Sequence, residues 1–292
     1  MYELNFNSPP HKGRSRDGVS CLFLLLLFLI TFATPARSQN DSLFVEKVLN
    51  EAPADADVLY FARQFLGLQY VAHTLEVNDK EQLVVNTRQL DCTTLVENAA
   101  ALALCHKNQA DNYASFCHYL CQLRYRQGKL DGYTSRLHYF SDWIADNVQM
   151  GYVEEKQTDD APYTAVQTLK LDYMSKHPQQ YKALKANPEL VKTIARQEKN
   201  LTGRKYRYIP KQQIGNTATL RKAVADGDII AITCSKPGLD IAHLGFAVWH
   251  KDGLHLLNAS QLHKKVVEEP MTLEQYLSRH PSFTGIRVVQ LL

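Results

Sequence analysis

Apolar residues recur at helical spacing through the first half of the chain and gather into short β-branched runs in the second. From Ser42 to Leu66, Leu43, Val48, Leu49, Val58, Leu59 and Phe65 stand among acids and bases, which predicts helix broken near Pro53. Cys92 to His106 is rich in Ala and Leu and almost free of charge, the pattern of a buried helix. Tyr113 to Gln127 predicts a second such helix, with Gly128 and Gly132 marking the turn beyond it. Ser135 to Met150 predicts another, closing at Gly151. The Lys-rich stretch from Tyr173 to Asn200, interrupted by Pro178 and Pro188, predicts surface helices.

After Tyr208-Ile209-Pro210 the period shortens. Asp228 to Thr233 is an apolar, β-branched run behind an Asp-Gly-Asp turn, and Leu244 to Trp249 and Leu254 to Leu257 predict two strands joined by a hairpin turn at Lys251-Asp252-Gly253. Val266-Val267 and Ile286 to Val289 complete an antiparallel sheet. Helices first and a meander afterwards predict an α+β fold, with N-terminal helices packed on one side of a C-terminal antiparallel sheet. No internal repeat or low-complexity linker divides the chain.

The N-terminus changes this picture. Lys12, Arg14 and Arg16 precede an apolar run from Cys21 to Phe32, and small residues follow at Ala36 and Ser38. The pattern predicts a secretory signal peptide over 1–38, cleaved after Ser38, because the run falls short of the ~20 residues that span a bilayer. Residues 39–292 are then a single exported domain, periplasmic or extracellular, with a helical insertion near 160–205, and only the signal segment meets a membrane. Hydrophobic residues at 45% and charged ones at 22% suit an ordinary globular protein, and a net charge of +3 is too small to imply a nucleic-acid partner. The mature chain keeps Cys92, Cys105, Cys117, Cys121 and Cys234, an odd set that leaves at least one free thiol. None forms a CxxC pair or lies at zinc-finger spacing, so neither a structural metal nor another cofactor is expected.

Cys92 stands where a reactive thiol is favoured. Asp91 can cap the helix that follows, placing Cys92 in the first turn, where the dipole and free amides favour a thiolate and can donate to an oxyanion. The bland alternative is a buried structural cysteine. His243 opens a strand and is a candidate base, and Asn258, ending the next strand, is a candidate to hold its tautomer. His255 competes for that role, but strand alternation sends it to the other face.

The order of these three residues resembles the papain-like, NlpC-type cell-wall cysteine hydrolases. His243-Leu244-Gly245-Phe246 is similar to their HxG strand and Leu257-Asn258-Ala259-Ser260 to their third-residue segment, although many of them carry a histidine where Asn258 stands. Longer signatures resemble the N-acetylmuramoyl-L-alanine amidase-like branch, first catalogued as a domain of unknown function. They run from Leu90-Asp91-Cys92-Thr93-Thr94-Leu95-Val96-Glu97 through Leu123-Arg124-Tyr125-Arg126 with Gly128 to Arg136-Leu137-His138-Tyr139-Phe140-Ser141-Asp142-Trp143. Tyr208-Ile209-Pro210 and Asp240-Ile241-Ala242-His243 follow in order. The resemblance implies a papain-like NlpC-type core and hydrolysis of the bond between muramic acid and L-Ala in peptidoglycan or its fragments. Tyr70, Arg136, His138 and Trp143 are candidates to line the substrate cleft, and Ser260 to touch substrate or cap a turn. The γ-D-glutamyl to diamino acid bond, transfer to an amine, and a non-catalytic wall-binding module are the alternatives.

Overall fold

The computed structural model describes residues 34–292, with side chains from residue 40 onward. The basic segment and apolar run read as a signal peptide therefore lie outside the described residues. The N-terminal half supplies α1 (Thr34–Asn50), α2 (Val58–Arg63), the short strands β1 (Gln69–Tyr70) and β2 (Gln89–Leu90), α3 (Cys92–Lys107), α4 (Tyr113–Arg124) and α5 (Phe140–Gln149). The middle contributes β3 (Val153–Lys156), β4 (Ala165–Thr168), α6 (Tyr173–Lys176), α7 (Lys182–Ala186), α8 (Pro188–Leu201), β5 (Lys205–Pro210) and α9 (Ala218–Ala223). The remainder is β6 (Ile229–Cys234), β7 (Ile241–Trp249), β8 (Leu254–Ser260), β9 (Lys265–Glu268), α10 (Leu273–Ser278) and β10 (Phe283–Leu291).

The strands form one mixed sheet in the order β2-β1-β9-β8-β7-β6-β10-β5-β4, with β3 also paired to β10. All its pairings are antiparallel except β1 with β2. The α+β class holds, but helices cover both faces rather than one. On β6, Ile229 and Ala231 join a core with α1 to α5, while Ile230 and Ile232 join a second core with Met174, Leu184, Ile194 and Leu277. The unbroken apolar run of β6 carried this signal, since a strand buried on both faces loses its alternation.

The helix expected from Ser135 to Met150 starts only at Phe140. Arg136 is extended and bridges Tyr125, and the Leu137 amide donates to the Arg124 carbonyl at 2.9 Å, so pairing with the end of α4 overrides helical propensity there. Two details position the strands that matter below. The register of β6 on β7 slips by one residue, from Ile232 opposite His243 to Thr233 opposite Ile241, and this bulge at Ala242 re-aims the neighbouring His243. Gly245 lies against β8 so closely that a Cβ there would come within 2.6 Å of the Leu257 carbonyl oxygen, which is why a side chain is excluded.

Candidate active site

The start of α3 is fixed by its own sequence. Asp91 Oδ1 accepts from the Thr94 amide at 2.8 Å and Thr94 Oγ1 accepts from the Asp91 amide at 2.9 Å, a reciprocal capping box. Cys92 is the first helical residue, 1% exposed, and opens onto a cavity also walled by Thr93, Glu76, Tyr133, Arg136 and His138. Its place in the first turn, behind a capping Asp91, is the one expected. The strand β1 runs beside the approach to the thiol, with Tyr70 in register with Leu90.

His243 and Asn258 come together as the hairpin predicted. His243 Nε2 and Asn258 Oδ1 lie 3.0 Å apart, and both residues are buried. Which amide atom faces the imidazole is decided by what lies behind it. Asn258 Nδ2 donates to Glu269 Oε1 at 3.1 Å and to the Leu256 carbonyl at 3.3 Å, and both partners only accept. Oδ1 therefore faces His243, the proton sits on Nε2, and Nδ1 is left as the basic nitrogen. Glu269, 1% exposed, is tied in turn to His263 Nε2 at 3.1 Å. Burial lowers the His243 pKa below its ordinary value, opposed by the bond to Asn258 and by the Glu269 charge. The Asp91 carboxylate, one residue before Cys92, also acts on this imidazole, and α3 packs on β7 and β8. His255 sits on the other face as expected, bonded to the Glu269 carbonyl and to Asp252.

The predicted cleft residues divide. Arg136 and His138 line the cavity, but neither is a free cation. Arg136 Nη2 is 2.5 Å from Glu76 Oε1 and its Nε 3.4 Å from Glu81, so a substrate carboxylate would compete with two acids. Burial, reinforced by the Arg136 charge, lowers the His138 pKa well below normal, and its Nε2 donates to the Tyr133 carbonyl at 2.9 Å. Tyr70 is 9% exposed and its hydroxyl has no hydrogen-bond partner among the described residues. Trp143 is a correction: it is fully buried in the core, stacked on Phe140 with ring centroids 4.7 Å apart, because it lies on the inward face of α5. Ser260 is 1% exposed and its hydroxyl accepts from the His263 amide at 3.3 Å, so it caps a turn.

Glu269 and His263 were missed. Period-two alternation from Val266 selects Glu268 as the inward acid, whereas Glu269 lies past the end of β9, where the chain turns in. Glu97 closes the motif that begins at Leu90. It sits on the cavity wall, bonded at 2.7 Å to a buried Arg124 that also donates to the Val84 carbonyl.

This architecture recurs in solved structures. A Legionella pneumophila protein, 22% identical over 88% of this chain and 96% of its own, shares the fold with a TM-score of 0.68. A Bacteroides fragilis protein provisionally named a xylanase is 45% identical over 80% of this chain and all of its own, with a TM-score of 0.75. A Bacteroides uniformis protein named an N-acetylmuramoyl-L-alanine amidase is 42% identical over 81% of this chain and 97% of its own, with a TM-score of 0.76. No curated protein matches. The family described as AmiA-like, N-acetylmuramoyl-L-alanine amidase-like, matches residues 60–286, and the chain belongs to that family.

Proposed function

We propose that this protein is an exported cysteine amidase of papain-like, NlpC-type architecture that hydrolyses the N-acetylmuramoyl-L-alanine bond of peptidoglycan or its fragments. Residues 1–38 are its signal peptide and 39–292 its single domain. The observation that carries the reading is the pair His243 and Asn258, 3.0 Å apart, with the amide turned by Glu269 so that Nδ1 is the basic nitrogen. A capped helix N-terminus presenting a thiol to a cavity is the matching half.

In this mechanism His243 Nδ1 takes the Cys92 thiol proton, the thiolate attacks the lactyl carbonyl carbon, and amides at the start of α3 stabilise the oxyanion. The C–N bond breaks as His243 gives its proton to the departing L-Ala amine. Water then attacks the thioester with His243 taking its proton, and the thiolate leaves as the acid is released.

A glycosidase, as the Bacteroides fragilis name suggests, needs two free carboxyl groups about 5–10 Å apart. The acids here are engaged: Glu76 with Arg136, Glu97 with Arg124, and Asp91 in the helix cap. Mass spectrometry of purified muropeptides incubated with the protein tests the reading. The expected products are a free N-terminal L-Ala peptide and the lactyl acid, absent with Cys92→Ala. Cleavage between D-Glu and the diamino acid would keep the thiol chemistry and move the bond. Released sugars with intact peptides would defeat the proposal.

A further inference from the structure

The β7–β8 turn, at the opposite end of the hairpin from His243, holds a cluster that the amidase reading does not use. His255 is 4% exposed, and its Nδ1 lies 2.8 Å from the Glu269 carbonyl oxygen. A carbonyl only accepts, so Nδ1 carries a proton. The other nitrogen, Nε2, then faces Asp252 Oδ1 at 3.1 Å, and that oxygen only accepts as well. In a neutral imidazole two lone pairs oppose each other, and the contact is favourable only with a cation between them. A second ring proton satisfies His255 alone. The neighbouring imidazole of His250, with ring centroids 4.2 Å apart, argues for an ion that serves both rings. His250 Nε2 is 2.5 Å from Glu268 Oε1, which leaves its other nitrogen open.

We propose that His250, Asp252 and His255 form a binding site for a divalent transition-metal ion. One ligand atom from each residue lies within 4.8 Å of the other two. Each imidazole has one nitrogen committed to a carbonyl or carboxylate outside the trio, the arrangement that orients metal-bound histidines, and the second nitrogen of His255 already faces Asp252. Two imidazoles and one carboxylate suit Zn2+ and its first-row neighbours better than Mg2+ or Ca2+, and leave a coordination position for water. Bonds of about 2 Å draw ligand atoms to roughly 3.3 Å of one another, so the cluster must tighten on binding. His250 and Asp252 are exposed and flank the Gly253 turn, where movement is easy, while the buried His255 supplies the fixed point. The site lies roughly 20 Å along the strand from His243, so the ion acts as a clamp on the hairpin and takes no part in acyl transfer. The proposal does not depend on the amidase reading.

The test uses the full chain carrying Cys92→Ala, so that this thiol cannot capture metal. After chelator treatment the protein is titrated with ZnCl2 by calorimetry, and with CoCl2 by absorption. The expected result is saturable binding of a single ion per chain, a raised thermal midpoint with Zn2+, and Co2+ bands without thiolate charge transfer. His250→Ala and Asp252→Asn, both at exposed positions that preserve folding, should each weaken Zn2+ binding at least about tenfold, and Glu268→Gln about tenfold. Absence of saturable binding, equal affinity in the His250 and Asp252 variants, or a thiolate band marking capture at Cys117 or Cys121 would each overturn the site.

Discussion

Alkylating the chain with iodoacetamide from about pH 5 to 9 sets the Cys92 thiol against its four neighbours, whose environments differ in known directions. Burial pushes the Cys105 thiol up to about 12 and the Cys234 thiol up to about 11. At pH 7 their thiolate fractions are therefore roughly 10⁻⁵ and 10⁻⁴. A thiol in the first turn of a helix is lowered instead by the dipole and the free amides there, so a far larger share of it is thiolate at neutral pH. Nucleophilicity falls with pKa and returns part of that advantage. The nearer competitors are Cys117 and Cys121, half-buried and raised only from an ordinary value of 9.0. Against these the preference is the smaller one. Cys92 is itself 1% exposed, so access through the cavity scales its absolute rate. The pH profile is the decisive readout, followed by peptide mapping at each pH. The Cys92 rate should level off above neutrality while the other four rise about tenfold per unit. A Cys92 rate still rising tenfold per unit through pH 8 would refute the thiolate argument.

Asn258→Ala should lower kcat by about ten- to a hundredfold with little change in KM or fold, in single-turnover kinetics on a defined muropeptide, and Asn258→His should retain much of the rate. Glu269→Gln should also lower kcat, because an amide there lets Asn258 turn its nitrogen toward His243; an unchanged rate would remove Glu269 from the support of the base. Trp143→Ala should cost about 3–5 kcal/mol in denaturant unfolding, as a large ring lost from a dry core, and Trp143→Phe should restore most of it. If Trp143 lined the cleft instead, the Ala variant would raise KM and leave stability alone. The pH profile of kcat/KM should place its acidic limb below about 6.5, since the His243 pKa is lowered by burial and the neutral ring is the base. The same sign governs stability. Below the ordinary histidine value the unfolded chain takes up a proton that the folded chain refuses, so stability is full above it and lost as the pH falls.

What the sequence made legible follows from how locally each feature is determined. The capped start of α3 rests on Asp91 and Thr94 within one turn, so reading Asp91-Cys92 before an uncharged apolar run found both helix and thiol. The pair His243 and Asn258 needs only a hairpin and the parity of side chains along it, and parity also separated His255. The extended segment from Arg136 to Tyr139 was misread because its partners are Arg124 and Tyr125 on another element. Strands β3, β4 and β5 are short and polar, and they pair with β10 or with one another at the sheet's edge, where burial imprints little pattern.

Glu269 marks where this kind of reading ends. Its carboxylate sits eleven residues from Asn258, and its role is to accept from an amide whose opposite atom faces His243. An amide can present either its oxygen or its nitrogen, and only the neighbour behind it decides which. With an acceptor behind, Asn258 offers oxygen and His243 holds its proton on Nε2; with a donor there, the amide turns and the basic nitrogen moves to the wrong end of the ring. The burden of orientation therefore falls one residue outward, on a buried acid held by His263. A search for the base and its immediate partner finds two residues by type and spacing. The third is found only by asking what each buried donor and acceptor is paired with.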